Sequence, residues 1–66
     1  MKNKKLLATN LIADLLKRDW SYAKIASELG KSEMSIRRWE KGKSIPHRFF
    51  IEKMEKLIEE EINGRR

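Results

Sequence analysis

Arg37 and Arg38 stand side by side, with Glu33 and Met34 one helical turn before them and Lys41 one turn after. At helical periodicity these five positions share one face. An arginine fork donates two parallel hydrogen bonds to a planar acceptor pair, such as guanine O6 and N7 or two phosphate oxygens. Glu33 adds a carboxylate, which can only accept hydrogen bonds, and Met34 an apolar side chain to that face. Lys43 follows close behind and adds a further positive charge. The chemistry of such a face is recognition of a polyanion with readable edges. The plainer alternative is a solvated basic surface, on which Glu33 merely favours a helix N-terminus or pairs with Arg37 four residues on.

Chemistry of other kinds is excluded by what the chain lacks. It has no cysteine and one histidine, His47, so it offers no thiolate cluster, no metal-ligand set and no nucleophile with a partnered base. No enzyme activity, metal, cofactor or small-molecule ligand is expected. No apolar run approaches the roughly 18 residues of a membrane span, and the opening MKNKKLLA lacks a secretory pattern. A cytoplasmic, nucleoid-associated protein without membrane contact is the expectation. Charge is unevenly placed: residues 1–48 carry twelve Lys or Arg against five acids, while residues 49–66 carry four against five. Basic charge gathered in one part of a small domain points to a polyanionic partner.

The elements that must position these side chains are helical. Valine is absent, sustained alternation is absent, and proline occurs once, so a single all-α domain over 1–66 is expected. A chain of 66 residues buries only about 60% of its unfolded surface, so closely packed helices or a partner chain are needed. Helix one starts near residue 4 or residue 10, capped by Asn3 or Thr9, and ends near 18. Leu7, Leu11 and Leu15, with Ile12 and Leu16 beside them, give it an apolar stripe. Helix two is expected over 22–29, with Ser21 as N-cap, Ile25, Ala26 and Leu29 facing inward, and Gly30 ending it in the left-handed conformation. Helix three is expected over about 33–41, with Ser32 as N-cap, Ile36 and Trp39 inward, and Gly42 as the stop. A last helix covers about 46–63, opened by Pro46. Trp20 is expected to close the core, in preference to forming a stacking platform with Tyr22. Lys2, Lys4 and Lys5 read as a tail or a minor-groove arm, and Arg65 and Arg66 as loose.

Two helices of about eight residues joined through Gly30 make a helix-turn-helix over about 21–42. The stretch from 21 to 46 resembles the Cro and lambda-repressor family. Ser21, Ile25, Ala26, Leu29, Gly30, Ser32, Ile36, Trp39, Glu40, Gly42 and Pro46 carry the resemblance, and the run RWEKGK is its most specific part. The resemblance implies a small four-helix or five-helix lambda-repressor-like fold and double-stranded DNA as partner. It places Glu33, Met34, Arg37 and Arg38 against base edges. It places Lys41, Lys43 and Arg48 on phosphates, together with Ser21, Tyr22, Ser32 and Ser35 around the starts of helices two and three. Four departures stand out. Tyr22 replaces the family's usual phosphate-clamping glutamine, and Asp19 replaces a usual glycine. Leu15 falls where an arginine often pairs with the glutamate matching Glu40, leaving Lys17, Arg18 and Arg37 as candidate partners. The apolar phase of helix one is also shifted by about one residue.

Phe49, Phe50, Ile51, Met54, Leu57, Ile58 and Ile62 are many apolar groups for one helix. They serve either a monomer core alone or a core and a second chain, and a homodimer, formed free or only on DNA, is the expectation. The function these readings point to is a sequence-specific DNA-binding transcriptional regulator, a repressor acting by occlusion. The alternative is a protein-interaction module or DNA-targeting accessory, such as an antitoxin, excisionase or transposase subunit.

Overall fold

The computed structural model describes residues 4–64. These form four helices and no strand: α1 (Lys4–Lys17), α2 (Tyr22–Leu29), α3 (Glu33–Glu40) and α4 (Arg48–Ile62). The five-helix alternative is not realised among them. Lys4 and Lys5 open α1, so they belong neither to an arm nor to a tail. Lys2, the cap candidate Asn3, Arg65 and Arg66 lie outside the described residues. Among the described residues no helix is long and apolar enough to cross a membrane.

The line that α1 buries is Ala8, Ile12 and Leu15, each with no exposed surface. Leu7 and Leu11 are only half-buried. The inward face is therefore rotated by one residue from the Leu7–Leu11–Leu15 stripe. Small Ala8 replaces a leucine at the innermost position because α1 packs against both α3 and α4. Thr9 is not a cap. It lies inside α1, where its hydroxyl donates to the Trp39 carbonyl at 3.3 Å. The same carbonyl accepts from the Gly42 N–H at 3.1 Å, so the end of α3 is tied down from two directions.

α1, α2 and α3 end in one way. Each is followed by a residue with positive φ: Asp19 at 71°, Gly30 at 69° and Gly42 at 75°. The next N–H then reaches five residues back: Trp20 to the Leu15 carbonyl at 3.1 Å, Lys31 to Ala26 at 2.9 Å, Lys43 to Arg38 at 2.8 Å. This is the Schellman closure, and it satisfies carbonyls that the helix leaves open. A Cβ built on Gly30 would meet no atom within 4 Å. Glycine is required there by the left-handed φ and not by the closeness of the two helices. Asp19 adopts the same conformation with a side chain, as short polar residues can at some cost.

α2 begins at its serine cap, with Ser21 Oγ accepting from the Lys24 N–H at 3.0 Å. α3 does likewise: Ser32 Oγ accepts from the Ser35 N–H at 3.2 Å. α4 begins two residues beyond Pro46, and its cap is His47, whose Nδ1 accepts from the Phe49 N–H at 3.0 Å. Ile25, Ala26 and Leu29 of α2, Ile36 and Trp39 of α3, and Met54 and Ile58 of α4 converge on Ile12 and Leu15. Phe50 lies against Trp39 at 5.5 Å between ring centroids. Trp20 closes one end of this core, donating Nε1–H to Glu61 at 3.3 Å. Of the apolar groups on α4, Ile51, Met54 and Ile58 are buried, whereas Phe49 is 55% and Ile62 65% exposed.

Candidate DNA interface

α3 divides its side chains cleanly. Ile36 and Trp39 point into the core, which fixes the roll of the helix about its axis. The same roll places Glu33, Met34, Arg37, Arg38 and Lys41 outside. Met34, at 60% exposure, lies outside the buried core. Met34, Arg37, Arg38 and Lys41 line one open hollow together with Lys43, which the turn at Gly42 folds back alongside them. Five of the expected contact residues are thus gathered into one surface.

Arg38, Lys41 and Lys43 have no side-chain partner among the described residues. Their donors remain available to a ligand, and every residue lining the hollow except Met34 is a cation. Arg37 and Glu33 approach to 3.8 Å. Both are half exposed, so the pair contributes at most about 0.5 kcal/mol and yields readily to a better acceptor. Both local uses foreseen for Glu33, the first turn of a helix and the pairing with Arg37, are therefore present.

Ser21 and Ser32 are exposed at the starts of α2 and α3, as caps. Each satisfies one of the open N–H groups of its helix and leaves a helix N-terminus suited to an anion. Ser35 is half-buried, its hydroxyl bonded to that of Ser32 at 3.2 Å. Arg48 is not gathered with the others. It occupies the first turn of α4 and lies 3.5 Å from Glu52, both exposed.

Tyr22 occupies a place that the sequence did not reveal. Its hydroxyl donates to Glu40 at 2.7 Å, tying the first residue of α2 to the last of α3. Glu40 is therefore partnered by none of Lys17, Arg18 and Arg37; Arg18 bonds Asp14 instead, at 3.1 Å. The hydrogen bond to Glu40 holds the Tyr22 phenol above the usual tyrosine range, helped by partial burial and by the Glu40 charge, while Arg37 pulls the other way. Since the phenol has one proton, donation to a DNA phosphate requires the bond to Glu40 to break. The Arg37 guanidinium lies over the Tyr22 ring, 4.3 Å from its centroid. No short-range pattern announces these contacts, because Tyr22 and Glu40 are 18 residues apart.

No curated protein and no solved structure shows a significant match to this chain. A helix-turn-helix family model matches residues 11–63, from the middle of α1 through the end of α4. With its capped helix pair, its Gly30 turn and its outward basic face all inside that span, the chain belongs to the XRE-type helix-turn-helix family of DNA-binding regulators, proteins like Cro and lambda repressor.

Proposed function

We propose that the protein is a sequence-specific repressor that works by occluding its site on double-stranded DNA. One observation carries this reading: the core-facing side of α3 is fixed by Ile36 and Trp39, while its opposite side presents Met34, Arg37, Arg38 and Lys41 beside Lys43. A helix held so firmly from behind can enter a major groove as a rigid reader. Glu33, Met34, Arg37 and Arg38 meet base edges. Lys41 and Lys43 meet phosphates, as do Ser21, Ser32 and Ser35 around the helix starts; Arg48 does so where the phosphate displaces Glu52. Phosphate contacts supply salt-dependent affinity, and base contacts supply sequence choice.

The protein acts as a homodimer in this reading. Phe49 is exposed on α4 beside a hollow lined by Glu52, Lys53 and Lys56, where one copy can meet another. Two copies would then read half-sites about one helical turn apart.

Selection from a random duplex library at physiological salt tests the proposal. A palindrome is expected; a single half-site would remove the dimer but keep the reader, and no enrichment would overturn the function. Transcription in vitro from a promoter overlapping the selected site is expected to fall as protein is added. An increase would overturn repression.

A further inference from the structure

Arg37 and Arg38 are neighbours of the same chemistry, yet only one of them is held. The Arg37 guanidinium rests 4.3 Å over the face of Tyr22. The Tyr22 ring is itself anchored, because its hydroxyl donates to Glu40 at 2.7 Å. Arg38 has no such seat among the described residues. We propose that Tyr22 is a positioning residue for sequence choice: it seats Arg37 for one DNA position while Arg38 stays free to adjust. The inference rests on the proposed function and assigns unequal roles within its reading face.

The physical case has three parts. A guanidinium over an aromatic face is attracted by the ring's electron-rich surface, and its N–H edge stays open to a bidentate acceptor. The contact with Tyr22 therefore need not be given up when Arg37 meets DNA, whereas the weak approach to Glu33 must be. An exposed arginine has large rotamer freedom, and restricting it before binding removes part of the ordering cost of association. The anchor also joins the start of α2 to the end of α3, so the seat keeps its place relative to the reading helix. Tyr22 then influences a base position without touching the DNA, and its hydroxyl is already engaged where a phosphate contact would need it.

The test compares wild type with Tyr22→Leu, Tyr22→Phe, Arg37→Ala and the Tyr22→Leu/Arg37→Ala pair, by library selection and by titration of the selected duplex over a range of salt. Tyr22→Leu is expected to weaken the preferred site roughly three- to tenfold, the effect of ordering about one long side chain. The loss should appear at the base position that Arg37→Ala relaxes, and the double variant should bind no worse than Arg37→Ala. Tyr22→Phe, which keeps the ring and loses the anchor, should fall between. In the free wild type the Arg37 side-chain protons should show ring-current shifts in NMR spectra that Tyr22→Leu abolishes. If Tyr22→Leu does not fold, Tyr22→Phe and the wild-type shifts decide. Additive losses would overturn the inference, as would unshifted Arg37 protons. A uniform loss with a shallower salt dependence would overturn it too, making Tyr22 a phosphate contact. A wild type that selects no sequence would remove the proposed function and this inference together; an enriched wild type with an additive pair would remove the inference alone.

Discussion

α3 and α4 carry similar kinds of side chain to different ends. α3 buries two residues, Ile36 and Trp39, and leaves Arg38 and the neighbouring Lys41 and Lys43 without partners among the described residues. α4 buries three, Ile51, Met54 and Ile58, and two of its three cations are engaged on their own helix: Arg48 with Glu52 at 3.5 Å, and Lys53 over Phe49 at 5.9 Å; Lys56 alone has no partner among the described residues. The two regions therefore differ in degree: each holds one arginine beside a glutamate four residues away, but three unpartnered cations gather at α3 and the turn after it, against one on α4. A cation already paired with its own helix has a competitor for any phosphate; an unpaired one does not. Where a charge is satisfied says more about its task than how many charges the chain holds.

That contrast can be broken or sharpened by substitution. The largest effect is expected from Trp39→Ala, which removes the anchor behind α3. Truncating a buried tryptophan costs about 3–5 kcal/mol, and a domain this small has roughly that much in all. Loss of the cooperative thermal transition, and of DNA binding with it, is the expected result; a folded variant would show that α4 and α1 hold the domain without α3. Next comes Arg38→Ala, expected to leave the melting curve intact, to cost roughly 1–3 kcal/mol at the selected site and to relax one base position. Equal weakening at every sequence would make Arg38 a backbone contact. Lys43→Ala should weaken all duplexes alike and lower the slope of log affinity against log salt by about one, whereas Lys53→Ala on α4 should leave that slope unchanged. Equal slopes for the two would dissolve the contrast between the helices. The smallest effect falls outside both helices. Asp19→Gly should stabilise by up to about 1 kcal/mol, raising the midpoint by several degrees with no change in binding, because the left-handed turn costs an aspartate more than a glycine. A lower midpoint would mean that the aspartate side chain stabilises the turn.

The same pair of regions shows what a sequence discloses. The unit from Ser21 through Gly42 was legible nearly residue by residue. Serine caps, the inward pair Ile36 and Trp39, and the left-handed stop at Gly30 are decided within a few residues of themselves. α3 differed only in ending at Glu40, one residue early. The flanks were less legible for a physical reason. Leucine or isoleucine at 6, 7, 11, 12, 15 and 16 makes α1 apolar over a broad arc, and only its packing on α3 and α4 selects the line Ala8–Ile12–Leu15. The last helix is expected to open at Pro46, yet it begins at Arg48, capped by a His47 ring nitrogen that follows no common cap pattern. At the site, the gathering of Met34, Arg37, Arg38, Lys41 and Lys43 follows from helical spacing plus one turn. The Tyr22 anchor does not, because Glu40 reaches it only once α2 and α3 have met.

The three successive Schellman closures have a consequence for how the domain comes into being. Each chain reversal from α1 to α3 is decided by a hydrogen bond between residues five apart, and no distant segment has to arrive first. Little loop-closure entropy stands in the way. Helical proteins with such local connectivity fold in microseconds to milliseconds. A domain whose reversals close locally can thus regain its shape quickly whenever it is lost.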